Sequence, residues 1–278
     1  MVGIQATQTY LSQMGIDIDV FRYLVVGGLL FTRIFFMVMF IPFLGGKPIP
    51  GQVRMTLVMA LTAFFFMPVY AGTTGALPQA NGPLFALFLK EILFGLLLGL
   101  SISIIFYGVE SAGAMVDNQR QLANARIFNP SIGAQSSLFG LFYYKFATVL
   151  FLVIGGHRVV FQSLAKTFQT VPLLTFPNIQ PALSPMLDVL IRLGADTLVV
   201  TLQLSAPILV AIFLADLILG LTNRVAPMIN VFELGFNIKG FAGNLLAYLS
   251  LPLIVYQLKV WFMKIFEQSE LIVRFFMK

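Results

Sequence analysis

No cysteine occurs in the 278 residues, and histidine occurs once. The first absence removes disulfides and thiolate chemistry and leaves the redox compartment open. The second argues against a metal site built from imidazoles. Charge is scarce as well: 10% of residues are Asp, Glu, Lys or Arg, against about 25% in an ordinary soluble domain. In their place stand 59% hydrophobic residues and a mean hydropathy of +0.93. Water is therefore not the main solvent of the fold. The net charge of +6 is spread along the chain, whereas a nucleic-acid surface needs basic residues in clusters. No basic start precedes the first apolar run, and Asp17 and Asp19 lie ahead of it, so a cleavable signal peptide is not expected.

Six apolar segments stand out, near Tyr23–Ile41, Met55–Tyr70, Leu84–Val109, Leu138–Ile154, Thr197–Leu219 and Gly240–Leu258. Each is continuous and rich in Leu, Phe and Ile, where a transmembrane β-strand would alternate over about ten residues. The expected fold is all-α: an integral membrane protein of long helical hairpins, one domain over residues 1–278. Residues 1–137 would hold the N-terminal helices and the start of a polar loop, and residues 138–278 the C-terminal hairpins. A short helix is expected before the first segment. An amphipathic helix is expected over Lys259–Lys278, where Trp261, Phe262, Ile265 and Phe266 interleave with Lys264 and Glu267. Prolines and glycines mark the joints at Ile41–Gly51, Ala71–Pro83 and Val171–Pro185.

Several charges fall inside the apolar segments: Arg33, Lys90, Glu91, Lys145 and Asp216. A charge at the bilayer centre costs on the order of 2.5–3.5 kcal/mol on insertion scales, so such residues face protein or water. Their number points to burial against other polypeptide. Loop charges give little orientation. With six spans, eight basic residues fall on one side and six on the other.

Glu91, Gly95 and Gly99 are spaced by four and share one helix stripe. The glycines would let another backbone approach, with Glu91 bonding to it; a proton relay through Glu91 is the alternative. In Asp216–Gly240, a helix is expected to end at Gly220. A polar turn at Asn223 and Arg224 would follow, then Pro227, with Asn230, Glu233, Asn237 and Lys239 at helical spacing. This reads as a polar hinge, with Asp216 and Arg224 as an ion pair, as a docking surface for a partner, or as both. His157 follows a glycine pair and is expected to satisfy backbone carbonyls. Asp188, Arg192 and Asp196 read as an ion-paired helix face. No nucleophile elbow, P-loop, zinc signature or Ser/His/Asp set is present. Glu110 and Asp117 form a nominal carboxylate pair, but Arg120 favours neutralising Asp117 over acid–base work. An enzyme is not expected, and no cofactor.

The stretch from Glu110 to Arg120, ESAGAMVDNQR, resembles the E-x-A-G…D-x-Q-R signature of the FliR/SctT family, the export-gate subunits of flagellar and virulence-associated type III secretion systems. PFLGGKPIP, KEILFGLLLG, GGHRVV and DLILGLTNRVAPMINVF look like its other landmarks, in the right order over about residues 30–240. Asp117, Asn118, Gln119 and Arg120 look more like the injectisome branch than the flagellar one. Gln121 departs from a commoner glycine.

The resemblance implies a helical, closed cone of about five SctR-like and about four SctS-like subunits with one chain of this kind, and an SctU-like protein near its base. Secreted unfolded proteins would pass through it across the bacterial inner membrane. Part of the cone would be raised toward the periplasm, and lipid would touch the rest. It also implies that the segment after the D-x-Q-R motif enters the lumen and helps to plug it. Asn124, Arg126, Ile127, Phe128, Asn129, Pro130 and Ile132 lie there. Amides and small residues make weak, adaptable contacts, and Ile127, Phe128 and Ile132 can seal against an apolar ring. A plain surface linker is the alternative for this segment. The rival for the whole chain is a small-solute or ion transporter working through Lys90, Glu91, Glu110 and Asp216.

Overall fold

The structure is a computed structural model. It describes residues 19–46, 49–73, 75, 77–78, 80–120, 137–176 and 179–275. Eight helices and no strand occur among these residues: α1 (Val20–Phe40), α2 (Pro42–Gly45), α3 (Gly51–Gly72), α4 (Asn81–Gln119), α5 (Leu138–Val153), α6 (Gly156–Thr170), α7 (Ile179–Val225) and α8 (Val231–Phe275). Five of them (α1, α3, α4, α7 and α8) contain a stretch long and apolar enough to cross a membrane. The bent pair α5–α6 makes a sixth if counted as one span. The expected short helix before Tyr23 and the loop residues Asn124–Ile132 lie outside the described residues.

Three element boundaries differ from the sequence reading. First, α4 does not stop near Val109 but continues through Glu110–Gln119. Glu, Ala, Met and Gln are good helix formers, so polarity alone does not end the helix. Second, α7 begins at Ile179, inside the proline-rich stretch. Pro181 sits in the first turn, where its missing N–H has no intrahelical partner to lose. Third, Gly220 does not end α7, which runs to Val225. A single internal glycine costs about 1 kcal/mol, too little to break so long a helix. The break comes where Pro227 disfavours helical backbone at the residue before it. The next helix is started by a capping box, in which the Asn230 side chain accepts from Glu233 N (3.4 Å) and donates to Glu233 Oε2 (3.3 Å).

The chain groups into two compact units. One comprises residues 1–103, 158–189 and 268–278; the other comprises 104–157 and 190–267. In the first, the buried stripe of α1 is Val26, Leu29, Leu30, Arg33, Ile34, Met37 and Val38, one face at helical spacing. Gly95 and Gly99 of α4 pack on it. A Cβ at Gly95 would stand 2.5 Å from the Arg33 carbonyl oxygen, and one at Gly99 would stand 2.8 Å from that of Met37. The end of α3 is tied to the start of α1 by the Tyr23–Tyr70 ring pair at 4.2 Å and by Arg22 Nη2 donating to Thr73 O at 2.7 Å.

In the second unit the rings of Phe106, Phe151 and Phe262 meet at 5.1–5.5 Å between centroids. Gly108 lets α7 approach α4, where Thr201 donates to Gly108 O at 3.0 Å. The α7–α8 seam is closed by Trp261 Nε1 donating to Gln203 Oε1 at 3.0 Å and by a Lys264–Asp196 ion pair at 2.8 Å. Asp196 thus pairs across helices with Lys264. Between α5 and α6, Gly155 stands at φ +86°, a left-handed conformation that glycine takes without a Cβ clash. On α8, large apolar side chains are exposed from Phe232 to Met263, a helical contour of about 46 Å.

Candidate functional site

Two groups of sequence-marked residues converge. The first lies where α1, α4 and the end of α6 meet. Arg33 and Glu91 are both fully buried and pair through two bonds, Arg33 Nε to Glu91 Oε2 at 2.5 Å and Nη2 to Oε1 at 3.0 Å. The guanidinium also donates to Thr167 O (3.0 Å), Thr167 Oγ1 (3.3 Å) and Val171 O (2.9 Å), and packs over the Phe168 ring at 4.8 Å. Lys90 Nζ donates to the carbonyls of Pro172, Leu173 and Thr175 at 2.8–3.0 Å and meets Glu91 Oε1 at 2.9 Å. Two cations thus face one carboxylate, the Thr167 carbonyl in the last turn of α6, where the helix dipole is negative, and carbonyls of the segment that follows it.

Arg33, Lys90 and Glu91 find their partners inside the chain, and Glu91 sits as the satisfied carboxylate of a helix-packing seam. Every polar side-chain atom of Arg33 and Glu91 is engaged.

The second group lies at the junction of α4 and α5, at the two ends of residues 121–136. Asp117 Oδ2 accepts from the Ser137 hydroxyl at 2.5 Å and from the Phe139 amide at 3.0 Å. Ser137 in turn caps α5, accepting from Gly140 N at 2.8 Å. Asp117 is therefore a second, tertiary cap on the N-terminus of α5, where negative charge is favourable. Gly113 permits the approach, because a Cβ there would run into the backbone of Phe139 and Gly140. Gly140 does the same toward the Glu110 carbonyl oxygen, 2.9 Å from where its Cβ would stand.

Arg120 completes this latch. Its guanidinium packs over the Phe139 ring at 4.7 Å, donates to Gly240 O at 3.3 Å and stands 3.6 Å from Asp117 Oδ1. Burial pulls its pKa below the usual value, while Asp117 and Tyr143 act in the opposite sense; arginine remains charged at any accessible pH. A groove of about 510 Å³ opens beside the latch, lined by Arg120, Phe139, Phe142, Ala247 and Tyr248 among others. One cation in an apolar groove makes no catalytic set, and no group of three or more metal-ligating side chains occurs among the described residues.

The other marked residues are placed apart from both groups. Lys145 is exposed on α5, and Asn118 and Gln119 are exposed on the last turn of α4. Asp216 pairs with Lys239 of α8 and not with Arg224. Asp216 and Arg224 lie eight residues apart on the same helix, about 12 Å along its axis, whereas α8 returns alongside. Asn223, Arg224, Pro227 and Asn230 are exposed at the α7–α8 tip. His157 does not satisfy a carbonyl through Nδ1, which is buried without a hydrogen-bond partner among the described residues. Sequence reasoning missed Ser137, Phe139, Thr167 and Gly243. Ser137 alone carried a signal, a serine just before an apolar run, which is the N-cap pattern.

The family model described as bacterial export proteins, family 1, matches residues 24–265. The chain is 30% identical over 229 residues to the flagellar biosynthetic protein FliR of Pectobacterium carotovorum subsp. carotovorum, covering 81% of this chain and 83% of that one. It is 31% identical over 229 residues to the Yop proteins translocation protein T of Yersinia pestis, covering 81% and 85%. It is 26% identical over 223 residues to the surface presentation of antigens protein SpaR of Shigella flexneri, covering 80% and 83%. Flagellar and virulence relatives stand at similar identity, so these matches do not separate the two branches.

Proposed function

The chain belongs to the FliR/SctT family of bacterial export proteins, and from that membership we propose that it closes and plugs the export gate of a type III apparatus in the bacterial inner membrane. It works there with about five SctR-like and about four SctS-like subunits and an SctU-like protein, and passes unfolded secreted proteins. Residues 122–136 seal the resting channel, with Ile127, Phe128 and Ile132 meeting an apolar ring and the amides making weak contacts that passing chains displace.

One observation carries the plug assignment. Asp117 and Arg120 at one end of residues 121–136 are tied to Ser137 and Phe139 at the other. A segment tethered at both ends keeps its place in a lumen while its middle yields. The exposed apolar surface supports assembly with sister proteins. The run from Phe232 to Met263 has a contour of about 46 Å. Even at a steep tilt of about 40° it rises about 36 Å, more than the hydrocarbon core of about 30 Å. Lipid tails cannot cover all of it.

Deleting Asn124–Ala134 tests the plug. Assembly of the complex is expected to persist while cells leak ions and small molecules across the inner membrane. Normal impermeability together with normal secretion would refute the assignment.

A further inference from the structure

The two arginines buried among the described residues differ in how they are held. Arg33 donates five hydrogen bonds. Arg120, also buried at 7% exposure against 0% for Arg33, makes one bond at 3.3 Å and a loose ion pair at 3.6 Å, and its Nε has no hydrogen-bond partner among the described residues. A buried donor left unpaired is destabilising. What holds Arg120 is therefore packing, between the Phe139 ring on one side and α8 on the other. At the α8 face stands Gly243. A Cβ there would lie 2.5 Å from Arg120 Cδ, 2.7 Å from Nε and 2.9 Å from Cγ. Gly240, one turn earlier on the same helix, has open space where its Cβ would be. Gly240 supplies a carbonyl and Gly243 supplies room.

We infer that Gly243 is the seat of the latch: a positioning residue on α8 that admits Arg120 and so couples the anchored end of residues 121–136 to the α7–α8 hairpin. A displacement of α8 at this point unseats Arg120, and little hydrogen bonding resists. This rests on the plug reading, and it adds the element through which the plug's anchor is moved.

The test is a double-mutant cycle in the assembled complex, reading inner-membrane leak alongside the amount of complex. Gly243→Ala is expected to raise leak to the level of Arg120→Ala, the double variant to leak no more than Arg120→Ala alone, and Gly240→Ala to match wild type. If Arg120→Ala does not leak while deletion of Asn124–Ala134 does, the plug reading stands and the seat is refuted; if neither leaks, the plug reading itself fails. Suppose Arg120→Ala leaks but Gly243→Ala does not, or the two effects add; then the plug reading stands and the seat is refuted. A Gly243→Ala chain that fails to assemble supports the seat if Arg120→Ala restores assembly, and overturns it if not.

Discussion

Replacing Glu91 by alanine puts the largest strain on the α1–α4–α6 cluster. Glu91 is fully buried and is the one carboxylate facing Arg33 and Lys90. Without it, the cluster's net charge rises from one positive charge to two, with only carbonyl dipoles to offset them. Breaking a buried pair by removing one partner costs about 3–5 kcal/mol, a fall of two to three and a half decades in the folded-to-unfolded ratio. Replacing both members by methionine, Arg33→Met with Glu91→Met, restores the net charge to that of Lys90 alone. Pairs exchanged for well-packed apolar residues are often near neutral, so the double variant should be more stable than Glu91→Ala despite carrying more changes. The lost Arg33 bonds to Thr167 and Val171 keep it below wild type. Thermal unfolding in detergent, with the amount of chain retained in membranes, reads the order: wild type, double, single. A Glu91→Ala protein as stable as wild type, or a double variant less stable than it, would refute the reasoning.

Two glycine substitutions should separate close packing from simple helix propensity. Gly95→Ala places a methyl 2.5 Å from the Arg33 carbonyl oxygen and should cost about 1–3 kcal/mol as overpacking, seen as a lowered unfolding temperature, although alanine is the better helix former. Gly220→Ala meets nothing within 4 Å and should gain up to about 1 kcal/mol in the same melt.

Much of the architecture was legible in the sequence because lipid-scale helices leave long apolar runs. The Glu91–Gly95–Gly99 spacing likewise showed a face built for close approach, and α1 is what approaches it. What was not legible depended on distant chain. The carbonyls that satisfy Arg33 lie 134 and 138 residues away and carry no side-chain signature. The extension of α4 to Gln119 was hidden because polar residues were read as loop, although most of them are sound helix formers. The latch was half visible: the motif named Asp117 and Arg120, but Ser137, Phe139 and Gly243 answer them from elements whose packing no local pattern reveals.

The account stands on the claim that the exposed apolar surface of α7 and α8 is covered chiefly by sister proteins. Purification from its native membrane in a mild detergent measures this directly. The chain should leave the membrane bound to two small helical membrane proteins, each in several copies, with Phe232–Met263 protected from solvent-borne labels. A stable monomer or homodimer, with that surface wrapped in lipid or detergent alone, would contradict it.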